Sequence, residues 1–403
     1  MIRPLHIVLA TLMIDAIGIG IVFPILPDLM ERVGAGDAAE GSVWGGLLMA
    51  AYAGAQFLFA PVLGGLSDAH GRKPILVAAL VLLAVDYVVM ALAGTFWLLL
   101  LGRTLAGMAG ATYVTATAYI ADISKPEDRA ANFGLIGAAF GLGFVLGPVI
   151  GGLAATIHVT APFWIAAGIT ALGAVAAIFV LPESLDTAKR RPFARSDLNP
   201  FGVIVNAFHL PNLAVPLSLI FAFEFANMVY PTLWAFWLTA LLDWGPAAIG
   251  LSLAVYGVGV AITQGLLIRP LINQFGEGGA LWIGLGAAIL AFGGYGFAGS
   301  AWLVFALLPL ACLSDIVPAV MTAMTANRVG EDRQGVVQGV IASLAAVAAI
   351  AAPVAMTAVF RATADDRGVF LPGAAFLFSG GLVLLMLPFL PRLIAPAARR
   401  EPG

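Results

Sequence analysis

Five charged side chains stand where charge is costly. Asp15, Asp86, Arg103, Glu224 and Asp315 each interrupt a long apolar run. A charge at mid-membrane costs at least about 2.5–3.5 kcal/mol on insertion scales, so such a residue faces a cavity or a partner. Asp15 has no opposite charge within its own segment. A carboxylate of that kind can exchange a proton near neutral pH; the competing reading is a hydrogen bond to the backbone or hydroxyls of neighbouring helices. Asp86 and Arg103 lie on either side of a short turn at Thr95 and Phe96. At about 1.5 Å of rise per residue they reach similar depth, which predicts a direct pair. That pair is either part of a proton pathway or a satisfied buried contact.

Glu224 sits in Phe221-Ala222-Phe223-Glu224-Phe225-Ala226-Asn227, and Met228 follows. On one helix Glu224, Asn227 and Met228 share a face at i, i+3 and i+4. A carboxylate and an amide among aromatics suit a cavity for a large, partly apolar, possibly cationic ligand. Aromatics here equally serve helix packing or face lipid. Phe223, Trp234, Gln56, Tyr113, Tyr256 and Gln264 complete the candidate substrate-binding set, together with Asp15. Asp315, deep in its span beside Pro318, reads as proton-handling or structural.

The elements that must carry these residues are membrane helices. The chain has 403 residues, 61% hydrophobic and 10% charged, with mean hydropathy +1.02. Ordinary soluble domains carry about 25% charge, and a spanning helix needs about 20 apolar residues. Charge clusters and Gly/Pro punctuation predict twelve spans: 5–29, 42–66, 74–94, 97–121, 131–156, 161–181, 211–240, 246–270, 280–299, 301–327, 334–360 and 372–393. The first is too long for a signal peptide and contains Asp15. The polar interval 182–210 predicts a cytoplasmic linker between an N-terminal six-helix bundle, 1–181, and a C-terminal one, 211–403. With the N-terminus inside, 15 of the 19 Lys and Arg fall on the cytoplasmic side. Arg32, Arg361 and Arg367 fall outside and Arg103 lies in a span, so both termini are expected to be cytoplasmic.

Several enzyme and binding classes drop out. The net charge of −3 argues against nucleic acid. A lone cysteine, Cys312, allows no intrachain disulfide. The four histidines, His6, His70, His158 and His209, lie near span ends, and no His-Glu-x-x-His or Gly-x-Ser-x-Gly pattern occurs. No cofactor, metal or catalytic residue is expected. The expected partners are a small amphipathic organic substrate, protons and the lipid bilayer, and the expected state is a monomer.

Local motifs add detail. Gly64-Gly65-Leu66-Ser67-Asp68-Ala69-His70-Gly71-Arg72-Lys73-Pro74 is a tight polar turn between two apolar segments, and Pro74 suits the first turn of a new helix. Gly143, Gly147, Pro148, Gly151 and Gly152 build a small-residue face in the fifth span that permits close helix approach. Glu127-Asp128-Arg129 recurs as Glu331-Asp332-Arg333 at an offset of 204, and Asp68, Gly71 and Arg72 fall on Asn273, Gly276 and Glu277 at 205. A shared offset points to a duplicated six-helix unit in parallel orientation.

Gly64, Asp68, Gly71, Arg72 and Lys73 match the signature loop of the major facilitator superfamily, which the chain resembles. The resemblance implies an all-α membrane fold of twelve transmembrane helices in two parallel six-helix repeats. It further implies a cytoplasmic gating latch of Asp68, Arg72, Asp122 and Arg129, with Asp122 pairing Arg72 and Asp68 meeting the eleventh helix. Gly143-x-x-x-Gly147-Pro148-x-x-Gly151-Gly152 is similar to the antiporter signature of the drug-efflux members and implies a kinked hinge. Leu99-x-x-x-Arg103-x-x-x-Gly107 is similar to the proton-linked Arg motif. Asp15-Ala16-x-Gly18-Ile19-Gly20, Pro24-x-Leu26-Pro27, Asp86-Tyr87 and Ile120-Ala121-Asp122 resemble the tetracycline/proton antiporter group.

By that resemblance Asp15 and Asp86 are the membrane carboxylates of coupled export in a bacterial inner membrane. Two positions depart from it: Val260 stands for the group's eighth-helix histidine and Ala288 for its ninth-helix aspartate. Glu224 or Asp315 would then take over proton coupling in the second half. The expected function is proton-coupled export of amphipathic small molecules by alternating access. The alternatives are a nutrient symporter or uniporter of the same fold, and a non-transporting sensor.

Overall fold

A computed structural model describes residues 4–111, 113–125, 128–193, 213–329, 334–364 and 370–394. The repeats Glu127 and Glu331-Asp332-Arg333, and most of the 182–210 linker, lie outside the described residues. Helices account for nearly all of the rest. In the first half they are α1 (Pro4–Arg32), α2 (Ala38–His70), α3 (Arg72–Leu92), α4 (Phe96–Gly110), α5 (Tyr113–Ile123), α6 (Arg129–Ala155) and α7 (Ala161–Val180). In the second half they are α8 (Ala214–Asn227), α9 (Val229–Leu242), α10 (Pro246–Ile262), α11 (Ile268–Gly296), α12 (Ala301–Ser314), α13 (Ile316–Ala326), α14 (Gln334–Thr363), α15 (Ala374–Met386) and α16 (Leu390–Ile394).

Among the described residues, ten stretches are long and apolar enough to cross a membrane. The longest, Pro246–Gly296, has 51 residues and holds two spans, and α4 with α5 forms one more. This arithmetic gives the twelve spans read from hydropathy. The 97–121 span is divided into α4 and α5, and two more spans are broken where the sequence predicts a continuous helix. The 211–240 span divides at Met228, and the 301–327 span divides at Asp315. Pro231 and Pro318 explain both breaks, because a proline ring clashes with the carbonyl four residues earlier. Those carbonyls belong to Asn227 and Ser314.

The loops after the second and eighth spans share one conformation. Gly71 has φ 107 and ψ 160, and Gly276 has φ 71 and ψ 170. Both lie in backbone space that only glycine enters readily. The offset of 205 read from sequence is therefore matched in backbone geometry, although Asp68 and Arg72 have no counterpart at Asn273 and Glu277.

Two compact units emerge from the contacts. One comprises Met1–Pro200 with Trp234–Gly257, the other Phe201–Leu233 with Val258–Gly403. In the first unit α6 runs as one helix through Pro148 and presses its glycines on α1. A Cβ built at Gly143 would lie 2.6 Å from the Met13 carbonyl oxygen, at Gly147 2.6 Å from that of Ile17, and at Gly151 2.5 Å from that of Ile21. Gly152 faces the Pro246 carbonyl at 2.5 Å instead. The stripe predicted at this spacing thus serves two partners, α1 and the Trp234–Gly257 segment.

Candidate functional site

The first unit buries a polar cluster among α1, α2, α3 and α4. Asp15 is 9% exposed, Asp86 0% and Arg103 5%. Arg103 Nη2 donates to Asp86 Oδ2 at 3.2 Å, the pair expected from the short turn between their helices. The bond is single-pronged, for Asp86 Oδ1 and Arg103 Nε are buried without partners. Gly102, on α4 beside Arg103, lets the helices close: a Cβ there would lie 2.7 Å from Asp86 Oδ1. Asp15 makes no ion pair among the described residues, and it borders a small cavity with Thr11, Ala79, Leu83 and Ala109. Tyr87 lays its hydroxyl against Gly18, one turn from Asp15.

Tyr52 on α2 belongs to this cluster and was not legible as such. The Arg103 guanidinium carbon lies 5.8 Å from its ring centroid. Its hydroxyl is buried with no hydrogen-bond partner. Asp15, Asp86 and Arg103 all act electrostatically on the Tyr52 and Tyr87 hydroxyls. Gln56, one turn along α2, donates to the Gly110 carbonyl at 3.3 Å. Tyr113 is exposed and meets Phe140 edge-on, with centroids 5.9 Å apart.

At the other end of the same unit the signature loop forms a charge network. Arg72 pairs with Asp68, with Asp122 (3.3 Å) and with the Ser67 hydroxyl (3.0 Å). Two residues of the following polar segment, absent from the sequence reading of this site, complete it. Glu183 accepts from the backbone N–H of Arg72 at 2.8 Å and of Lys73 at 3.2 Å, capping the first turn of α3. Arg191 Nε donates to Asp68 Oδ2 at 2.8 Å. Arg129 is exposed at the start of α6 and makes no ion pair with Asp68 or Asp122. Gly64 is half-buried, and Gly71 carries the turn.

In the second unit the two helix breaks bring polar groups together. Asn227 Nδ2 lies 3.5 Å from Asp315 Oδ1, and Glu224 is within electrostatic reach of Asp315. Met228 is the residue at the break itself, and its N–H still bonds the Glu224 carbonyl at 3.2 Å, one turn along the same helix. Phe223 is 1% exposed. Gln264 is exposed in a π-helical turn, Thr263–Leu267, a geometry common at functional positions. Trp234 and Tyr256 belong to the first unit. The Trp234 indole donates to Ser252 Oγ at 2.9 Å, and Tyr256 is half-buried.

Comparison with known proteins identifies the family. The Major Facilitator Superfamily profile matches residues 8–353. The class C tetracycline resistance protein of Escherichia coli is 37% identical over 388 residues, covering 96% of each chain. The class G protein of Vibrio anguillarum is 34% identical over 386 residues, covering 95% of each. Among solved structures, the human organic anion transporter MFSD10 superposes with a TM-score of 0.70 at 25% identity, over 96% of this chain and 99% of that one. The chain belongs to the major facilitator superfamily and is a multi-pass membrane protein with its twelve-helix fold.

Proposed function

We propose that this protein exports tetracycline-like amphipathic small molecules across a bacterial inner membrane in exchange for protons, by alternating access. The observation that carries the reading is the buried first-unit cluster. Asp15 lies near an Asp86–Arg103 pair that leaves it without a cation of its own. When all three groups are ionised the cluster carries one net negative charge, and one proton cancels it. Proton entry from outside neutralises a carboxylate and releases the drug, and deprotonation toward the cytoplasm restores the binding state. Gln56, Tyr113, Asn227 and Met228 supply polar and aromatic contacts to substrate. Glu224 and Asp315 serve coupling from the second half, where Val260 and Ala288 cannot ionise. Both termini are cytoplasmic, and the halves 1–181 and 211–403 move about the 182–210 linker while the Asp68–Arg72–Asp122 network latches the cytoplasmic side.

A proton moving through 100 mV supplies about 2.3 kcal/mol, enough for a gradient of more than tenfold. The test uses proteoliposomes holding the purified chain and a pH-sensitive dye. Tetracyclines added to the wild type move protons, and Asp15→Asn abolishes the movement while the protein remains folded. Undiminished drug-driven proton movement by that variant overturns the assignment.

A further inference from the structure

The geometry points to Tyr52 as a positioning residue of the proton site, its ring face holding the Arg103 guanidinium on Asp86 so that Asp15 keeps the exchangeable proton. The inference rests on the proposed proton-coupled export and adds a residue to it. Three observations carry it. First, Arg103 reaches Asp86 through one nitrogen only, at 3.2 Å, so the pair lacks the two-pronged geometry that would fix a guanidinium unaided. Second, the Arg103 guanidinium carbon lies over the Tyr52 ring at 5.8 Å, a distance within cation–π range. Third, α2 and α4 are built to keep that ring in place. Gly107 accepts the Tyr52 backbone carbonyl where any side chain would collide, and a Cβ at Gly110 would lie 2.6 Å from the Tyr52 hydroxyl.

The charged and titratable groups around the ring come from every packed element: Asp15 from α1, Asp86 and Tyr87 from α3, Arg103 from α4. With two carboxylates and one guanidinium, holding Arg103 on Asp86 leaves Asp15 as the carboxylate that carries the proton. A ring on the α2 side supplies that hold. Without it the single-pronged Arg103–Asp86 pair loses its second support, and Asp86 competes with Asp15 for the proton.

The test compares Tyr52→Phe with Tyr52→Met and Tyr52→Leu in proteoliposomes. Tetracycline is the probe, and both drug-driven proton movement and drug exchange without a gradient are read. Phe keeps the ring, and its coupling stays within about threefold of wild type. Met and Leu fill the space without a ring face, and they lose at least tenfold of proton movement while exchange persists. Their proton-movement pH profile also departs from that of the wild type and Phe variants. Wild-type coupling in Met or Leu overturns the assignment, as does a Phe variant as damaged as they are. If neither apolar variant folds, Tyr52→Gln takes their place as the ringless variant, with the same outcomes. A wild type that moves no protons with drug defeats the export reading itself.

Discussion

Removing both buried carboxylates from the reach of Arg103 should cost far more than removing either. The Arg103 side chain is 7% exposed and that of Asp86 0%. A guanidinium stays charged at any working pH, so it cannot escape burial by losing its proton, whereas a carboxylate can gain one. Asp15→Asn leaves the Asp86–Arg103 pair intact and removes the surplus negative charge, so its cost is about 1 kcal/mol or less. Asp86→Asn strips the direct partner but leaves Asp15 in the same cluster, at about 1–2 kcal/mol. The double variant leaves a buried cation with no anion, a situation worth about 3–5 kcal/mol. The excess over the sum of the singles is then about 1–3 kcal/mol, the range seen for coupled neighbours. Unfolding by sodium dodecyl sulfate in mixed micelles, followed by tryptophan fluorescence, measures all three. Adding Arg103→Leu to the double variant removes the stranded charge and should recover most of the loss. Additive singles, or a triple variant no more stable than the double, would refute the shared-charge argument.

Two further outcomes test the packing and capping of helices in the same unit. Glu183→Ala removes the acceptor of the Arg72 and Lys73 backbone N–H groups, at 2.8 and 3.2 Å. A lost cap costs about 0.5–2 kcal/mol, and faster amide exchange confined to the first turn of α3 reports it, with Glu183→Gln intermediate. Gly147→Val places a side chain 2.6 Å from the Ile17 carbonyl oxygen, so α6 must leave α1. A thermal unfolding scan should show a loss of several degrees or no folded protein, while Gly141→Ala, which meets nothing within 4 Å, should scan like wild type.

Much of the first-half site was legible because its partners are close in sequence or carried by a spaced motif. Asp86 and Arg103 are joined by one tight turn, so depth counting alone paired them. The Gly143–Gly147–Gly151 spacing marked a face built for close approach, and the structure shows α1 against it. Glu183 and Arg191 were missed because they reach the signature loop from 111 and 123 residues away, and nothing local marks a carboxylate as the cap of a distant helix. Tyr52 was missed for a different reason. A tyrosine at helical spacing in an apolar run reads as packing, and only the position of Arg103 over its face distinguishes it.

The second half shows where a local signal was present but pointed elsewhere. Pro231 and Pro318 were visible, yet their effect falls four residues earlier, on the carbonyls of Asn227 and Ser314. The breaks therefore land beside the polar residues Asn227 and Asp315 and not at the prolines. Breaking a helix inside a membrane frees backbone groups that need partners, and polar side chains at the break can supply them. Asn227 and Asp315 stand at the two breaks, on different spans, and meet each other side chain to side chain at 3.5 Å. Asp86 and Arg103 in the first half are thus held by an ion pair between neighbouring helices, whereas Asn227 and Asp315 in the second meet where their helices are interrupted.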